Sequence, residues 1–182
     1  MAAALCAATT GAFAQQEVGT VTLQPKVGLN VSTTTGDGAK AKVGFIAGVE
    51  GMYQLSDAFG VSAGLSYSMQ GAKAKEDSNG KVNLDYINIP ILANYYVTKG
   101  LAIKAGIQPG ILVSAKAKYQ SVSVDIKSDC KTFDLSIPVG ASYEFSNFVI
   151  DARYNFGLTE IMDGGNAKNG VFCITVGYKF GL

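Results

Sequence analysis

Eight segments of the chain alternate apolar side chains with small or polar ones. In residues 59–70, FGVSAGLSYSMQ, every odd position is apolar and every even position is Gly, Ser or Gln. Because successive side chains of a strand point to opposite faces, each segment predicts a strand with one apolar face. No segment keeps a helical period, which indicates an all-β chain. The segments span 20–32, 43–55, 59–70, 82–97, 101–114, 131–145, 148–158 and 170–181.

The links between these segments alternate in length. Only residues 56–58, 98–100 and 146–147 join the second to the third, the fourth to the fifth and the sixth to the seventh segment, whereas the other links are long and rich in Gly, Lys, Asp and Ser. Short periplasmic turns and long extracellular loops are typical of outer-membrane barrels, and about ten tilted residues cross a bilayer. The pattern predicts an eight-stranded antiparallel up-and-down transmembrane β-barrel in the bacterial outer membrane, with both termini in the periplasm.

Aromatic residues on the apolar faces fall into two bands, with aliphatic residues between them. Two aromatic girdles around an aliphatic belt are expected of a surface that faces lipid. The competing interpretation is a soluble, lipocalin-like carrier whose apolar face turns inward around a ligand. The predicted lipid-interface aromatics are Tyr53, Phe59, Tyr95, Tyr143, Phe145, Tyr178 and Phe180 near the short turns, and Tyr67, Tyr154 and Phe172 near the long loops.

Charged residues of both signs lie on the opposite, small and polar faces. Buried charges need partners, and a barrel of eight strands has an interior that side chains can fill. We therefore expect a charge network that holds the barrel shut, with no open pore; the alternative is a gated ion path or a carboxylate pair. The predicted network comprises Glu50 and Arg153 near the middle, and Lys104, Glu144, Asp151 and Lys179 towards the short turns.

Two features do not fit a regular barrel strand. Pro90, Pro109 and Pro138 fall inside predicted strands, where each removes a backbone donor. The fourth segment also changes phase between Leu84 and Ile87 if both are read as outward-facing. Both features predict β-bulges, which re-aim the alternation and leave a residue unpaired.

The loop of residues 116–131, KAKYQSVSVDIKSDCK, alternates in a way that the other loops do not. It predicts a hairpin that continues strands five and six above the membrane, with a break near Asp129 and Cys130. An exposed strand edge can recruit another chain. The expected partner-binding residues are Tyr119, Val122, Val124 and Ile126, and the alternative is a solvated hairpin without a partner. A protein or a glycan is the ligand expected at these loops.

The first fourteen residues, MAAALCAATTGAFA, form a small apolar run that ends in Ala12-Phe13-Ala14, a pattern suited to signal peptidase. They predict a signal peptide over 1–14 and a barrel domain over 15–182. Because no Lys or Arg precedes the run, the natural start is expected upstream. Cys6 follows bulky Leu5, which disfavours a lipoprotein site. Cys130 and Cys173 belong to strands that are not neighbours, which favours two free thiols over a disulfide.

Catalysis is not expected. The chain has no His, which excludes Ser-His and Cys-His chemistry and the commonest metal ligand. No phosphate-binding or dinucleotide-binding glycine motif occurs, so no cofactor is expected. The 15 basic and 14 acidic residues give no strong positive field, which argues against a nucleic-acid partner.

Three stretches resemble the PorT-like outer-membrane β-barrel family: LDYINIPILANYYVTKGLAIKAGIQPGILVSAK (84–116), DARYNFGLT (151–159) and VFCITVGYKF (171–180). The resemblance extends from about Lys26 to Phe180 and implies an eight-stranded barrel in the outer membrane. The functions of this family are heterogeneous: PorT itself is associated with a protein secretion system. The resemblance therefore leaves a secretion accessory or a narrow channel as alternatives to a structural or surface-binding role. The barrel assembly machinery is expected to recognise Phe180 near the end of the last strand.

Overall fold

The computed structural model describes residues 17–34, 39–74, 80–119, 122–161 and 167–182. The predicted signal peptide, with Cys6, lies outside the described residues. None of the helical residues in these ranges forms a helix long and apolar enough to cross a membrane. The strands are β1 (Val21–Thr34), β2 (Ala39–Lys40), β3 (Lys42–Ser56), β4 (Phe59–Ala74), β5 (Gly80–Asn88), β6 (Ile91–Thr98), β7 (Leu101–Tyr119), β8 (Val122–Asp125), β9 (Phe133–Phe145), β10 (Phe148–Glu160), β11 (Lys168–Tyr178) and β12 (Phe180–Gly181), with a 3-10 helix over Lys127–Asp129.

These strands form one antiparallel sheet that closes on itself. β1 pairs with β3 on one side and with β11 and β12 on the other, so that the first strand meets the last. β5 and β6 together make the fourth strand of the wall, β11 and β12 make the eighth, and β2 and β8 lie only at one end. The predicted closed barrel of eight strands is confirmed.

The two ends of the barrel differ. At the short-turn end, two residues join β3 to β4, β6 to β7 and β9 to β10. These turns need left-handed backbone at Gly100 (φ 86°) and Ser146 (φ 54°), a region that glycine enters without steric cost. The opposite end, where the longer links lie, is called the long-loop end below.

The prolines cause no bulges, which corrects one expectation. The register of β4 against β5 and β6 is continuous on both sides of Pro90, and β7 pairs with β9 without a shift at Pro109. Pro138 likewise sits opposite Asn155 in an unshifted ladder. Each proline therefore removes its own donor and leaves the alternation of its strand unchanged.

The apparent phase change in the fourth strand is also not a bulge. Leu84 and Tyr86 point into the barrel, whereas Ile87 points outward, so all three obey one uninterrupted alternation. The bulge lies instead on the neighbouring β7, where Ser114 opposes Asp85, Leu112 opposes Tyr86 and Val113 is the extra residue. The prediction failed because it treated every apolar side chain of the fourth strand as lipid-facing.

Apolar residues plug the interior at both ends. At the long-loop end, a cluster forms around Leu84 and Tyr86, both about 1% exposed. Its other buried members are Leu112, Ala115, Cys130 and Ile161. At the short-turn end, Met52, Tyr96 and Ala102 form a second buried cluster. Between the two clusters the buried side chains are mostly polar or charged.

At the long-loop end the sheet continues beyond the closed wall. β2 pairs with the end of β4, β4 with the start of β5, β5 with the end of β7, and β7 with β8. We call the paired ends of these five strands the outer sheet. The predicted hairpin of β7 with β8 is present, but the 3-10 helix separates β8 from β9, so β9 does not extend it.

Candidate functional sites in the barrel interior and the outer sheet

The middle of the barrel holds a network of buried charges centred on Glu50. Alternation along β3 turns Glu50 inward, and β1 and β7 bring two lysines to it. Lys26 donates to one carboxylate oxygen of Glu50, and Lys104 Nζ lies 3.0 Å from the other. These three side chains are at most about 4% exposed, so both charges of each pair are removed from water.

Asp151 and Arg153 of β10 complete this network. Lys104 Nζ donates to Asp151 Oδ2 at 2.9 Å, and Arg153 Nε lies 2.7 Å from Asp151 Oδ1. Arg153 Nη1 also lies 3.8 Å from Glu50. Lys104 therefore bridges the two carboxylates, and the five side chains form one connected unit across the barrel.

A separate pair lies nearer the short-turn end. Lys179 donates to Glu144 Oε1, and the Tyr96 hydroxyl donates to the same oxygen at 2.7 Å. The Tyr96 hydroxyl also lies 3.5 Å from the sulfur of Met52. Together with the central network, this pair occupies the interior with side chains that are held by their partners.

The structure places all six predicted network residues in the interior, but in two groups. Glu144 and Lys179 form the second pair, as their expected position near the short turns allows, but Lys104 and Asp151, expected beside them, belong instead to the central network with Glu50 and Arg153. Sequence reasoning missed Lys26. The alternation of β1, with Thr22, Gln24, Asn30 and Ser32 on the same face, would have revealed it.

The predicted interface aromatics lie on the outer surface. Phe145 is the most exposed of them at 71%, and Phe59 is half-buried. Near the short turns, Tyr178 packs edge-on against Phe148 with ring centroids 5.2 Å apart. The remaining eight are all exposed: Tyr53, Tyr67, Tyr95, Tyr143, Tyr154, Phe172, Tyr178 and Phe180.

Three of the four predicted partner-binding residues are exposed on the outer sheet. Val122 is 64% exposed, and Tyr119 and Val124 are each 55% exposed. Ile126 is not available in this way, because it packs against the buried cluster around Leu84. Ile126 keeps the face that alternation gave it, but it lies opposite Ala115 and therefore over the cluster, whereas the two valines lie beyond it.

Cys130 and Cys173 are both free and buried, as expected. Cys130 lies outside the membrane-crossing part of the strands, and burial together with the neighbouring Asp129 raises the pKa of its thiol. A protonated, buried thiol is a poor nucleophile. Among the described residues, no cluster of three or more His, Cys, Asp or Glu side chains could hold a metal ion.

Polar groups inside, aliphatic groups outside and aromatic girdles at both edges define a class of protein. Ile103, Ile107, Ile150 and Val176 of the belt are about half exposed, which in water would leave a large apolar surface uncovered. The fold inverts the arrangement of a soluble carrier, so that interpretation is excluded. The class is the β-barrel of the bacterial outer membrane.

Comparisons with known proteins agree with this class. The family model described as "Outer membrane protein beta-barrel domain" matches residues 13–163. The chain belongs to this outer-membrane β-barrel family, and its location is the bacterial outer membrane. A search of curated proteins finds no match.

Solved structures similar to this chain are also outer-membrane barrels. Neisserial surface protein A is 16% identical, with a TM-score of 0.60 over 88% of this chain and 97% of that protein. Ail, the attachment invasion locus protein of Yersinia pestis, was solved in complex with the heparin analogue sucrose octasulfate. It is 20% identical, with a TM-score of 0.58 over 90% of this chain and all of Ail. OprG of Pseudomonas aeruginosa is 15% identical, with a TM-score of 0.50 over 91% of this chain and 98% of OprG. At such low identity these structures establish the fold alone.

Proposed function

We propose that this protein is a closed, non-catalytic surface protein of the outer membrane that binds a partner chain at the edge of β8. In the proposed orientation the short turns lie in the periplasm and the outer sheet stands in the extracellular space. One observation carries the proposal: β8 ends a sheet that rises beyond the barrel wall, and within the described residues it pairs with β7 alone.

Hydrogen bonding identifies which groups of β8 are available. The Ile126 N–H donates to the carbonyl of Ala115 at 3.0 Å. In an antiparallel ladder, bonded and non-bonded pairs alternate, so Val124 and Val122 direct their backbone groups towards β7. The backbone groups of Ser123 and Asp125 therefore point away from β7, towards the edge where another strand can add.

The chemistry of this edge favours an extended peptide segment of another protein. Backbone groups of Ser123 and Asp125 supply the strand pairing, and the side chains of Val122 and Val124 supply exposed apolar contacts beside it. In strand addition, backbone bonds provide affinity and alternate side chains provide specificity. Recognition of a glycan, as in the complex of Ail with sucrose octasulfate, is the alternative for the extracellular end.

Selection of binding peptides tests this proposal. A random peptide library displayed on phage is selected on the folded full-length protein in nanodiscs, and binders are compared on Ser123→Pro and Ser123→Ala variants. Proline at 123 removes an edge donor without breaking a bond to β7, whereas alanine keeps the donor. We expect enriched strand-forming peptides that lose binding to S123P and retain it to S123A. Failure to enrich peptides, or equal binding to both variants, would contradict the proposal.

We also propose that the chain belongs to the narrower PorT-like family. This membership is part of the same proposal. It is supported by the stretches at 84–116, 151–159 and 171–180. Recognition of Phe180 by the barrel assembly machinery during insertion is likewise proposed.

A further inference from the structure

Four lysines stand in one row across the outer sheet. Lys40 of β2 is directly opposite Lys73 of β4, Lys73 is opposite Lys81 of β5, and Lys81 is opposite Lys118 of β7. Directly paired residues share a face of the sheet, and all four side chains are exposed. At a strand spacing of about 4.8 Å, the row extends roughly 14 Å across four strands.

The row lies on the face that continues the lipid-facing surface of the barrel. On β5, Lys81 has the same alternation as the outward-facing Ile87, while the intervening Val82 packs against the interior cluster around Leu84. On β4, Lys73 has the same alternation as exposed Tyr67, and the β4–β5 register between them is unshifted. The lysines therefore point sideways, away from the barrel axis.

No ion pair among the described residues offsets this concentration of positive charge, and Asp85, on the same face of β5, is not paired with the row. Like charges directly opposite each other destabilise a sheet. None of the ion pairs formed among the described residues includes any of the four lysines. An external anion would convert the repulsion into a favourable interaction.

The height of the row above the membrane indicates which anion would bind it. Lys73 lies six residues beyond Tyr67 along β4, which is about 14 Å above it for a strand tilted by about 45°. A phospholipid headgroup layer adds only about 5–8 Å to each side of the hydrocarbon core. The row thus stands above phospholipid headgroups, at a level that the larger sugar head of a glycolipid reaches.

We propose that Lys40, Lys73, Lys81 and Lys118 bind the phosphate groups on the sugar head of a glycolipid in the surrounding outer leaflet. Lysine ammonium groups bind phosphate as point charges, and four of them in a row can contact phosphates carried on different sugars. The inference needs the outer-membrane location and the outward orientation of the long loops. It does not need the proposed binding at β8.

Binding of rough lipopolysaccharide with a phosphorylated core tests the row. The folded full-length protein in non-ionic detergent is titrated with the fluorescent lipopolysaccharide, comparing Lys73→Gln/Lys81→Gln with the matched control Lys99→Gln/Lys127→Gln. Lys99 lies in a short turn and Lys127 in the 3-10 helix, so neither belongs to the row. Because each basic residue near an anionic surface contributes about 1 kcal/mol, we expect K73Q/K81Q to bind about 30-fold more weakly and the control to bind normally.

Three further measurements separate the sources of the anion. The unsubstituted protein is expected to bind dephosphorylated lipopolysaccharide as weakly as K73Q/K81Q binds the phosphorylated form. Inorganic phosphate or sucrose octasulfate is expected not to displace the lipid. Removing two like charges should also raise the urea midpoint of K73Q/K81Q without lipid. Equal affinity of the two double variants would overturn the proposal. So would lysine-dependent binding of phosphatidylglycerol as tight as that of lipopolysaccharide, or tight binding of the soluble anions alone.

Discussion

At the scale of single residues, the central network has an unequal number of charges. Lys26, Lys104 and Arg153 are positive, whereas Glu50 and Asp151 are negative. A buried charge that loses its partner is far more costly than a pair replaced as a whole. The two carboxylates are thus the limiting members of the network, and each is shared by more than one cation.

The effect of Glu50→Gln follows from this imbalance. Three cations would then share Asp151 alone, so we expect a loss of about 3–5 kcal/mol of unfolding free energy. Lys26→Met leaves two cations with two carboxylates and should cost clearly less. Urea unfolding in lipid vesicles, followed by the heat-dependent gel migration typical of folded barrels, measures both. A smaller loss for E50Q than for K26M would show that charge balance does not govern the network.

Strand alternation predicted the faces of these residues, but not their partners. It placed Glu50, Lys104 and Asp151 inside because each is flanked by outward apolar residues. It grouped Lys104 and Asp151 with Glu144 and Lys179 near the short turns, because the true grouping depends on the register between strands that are distant in sequence. Register is set by turns and by packing across the barrel, which no single segment encodes.

At the scale of elements, β7 shows how one extra residue controls a face. The bulge at Val113 lets Leu112 and Ala115 both point inward, although three positions separate them. Beyond the bulge, Lys116 and Lys118 point outward and Ala117 inward. With Val113 in the chain, β7 therefore depends on this bulge to present Lys116 and Lys118 away from the apolar cluster.

Inserting one alanine between Ala115 and Lys116 should reverse the end of β7. Deleting the extra residue Val113 would leave the pairs on both sides of it unchanged, whereas the insertion shifts the alternation by one residue, so Lys116 and Lys118 would turn towards Leu84 and Tyr86. We expect a loss of at least about 2 kcal/mol, because unpaired charge would meet an apolar cluster. The same urea assay measures this loss, with Val113→Ala as the control that keeps the bulge. Equal stability of the two variants would contradict the outward facing given to these lysines.

The fourth strand of the wall shows why the sequence pattern predicted a bulge that this strand does not have. Leu84 and Tyr86 are apolar, but they face inward because the long-loop end of this interior is itself apolar. A rule that assigns every apolar residue to lipid fails wherever a barrel is plugged by its own side chains. β6 shows the same mixture, since Ile91, Ala93 and Tyr95 face outward while Leu92 and Tyr96 face inward.

At the scale of the whole molecule, the interior is obstructed at successive levels. The cluster around Tyr86, the network around Glu50 and the pair of Glu144 with Lys179 follow one another along the barrel axis. All of these side chains are buried, and the charged ones are held by ion pairs. The proposed absence of conductance rests on this arrangement.

Planar bilayer recording provides the corresponding prediction. We expect the purified protein to give no steady current above the bare membrane, whereas a porin of about 16 strands, with its aqueous channel, serves as the positive control. Insertion is verified by heat-dependent gel migration of the same sample. Discrete current steps that persist in protein-containing membranes would establish a conducting path and revive the channel alternative.

The pairing of β1 with β11 has a consequence for biogenesis. Lys26 finds its neighbour Gly177 only after all eight strands of the wall have been synthesised, so the wall cannot close before β11 has emerged. Until then the chain carries eight apolar faces without lipid and two unpaired edges, the features that drive aggregation. A nascent chain of this design therefore depends on holding factors between the ribosome and the membrane, and loss of its last strand removes the seam that completes it.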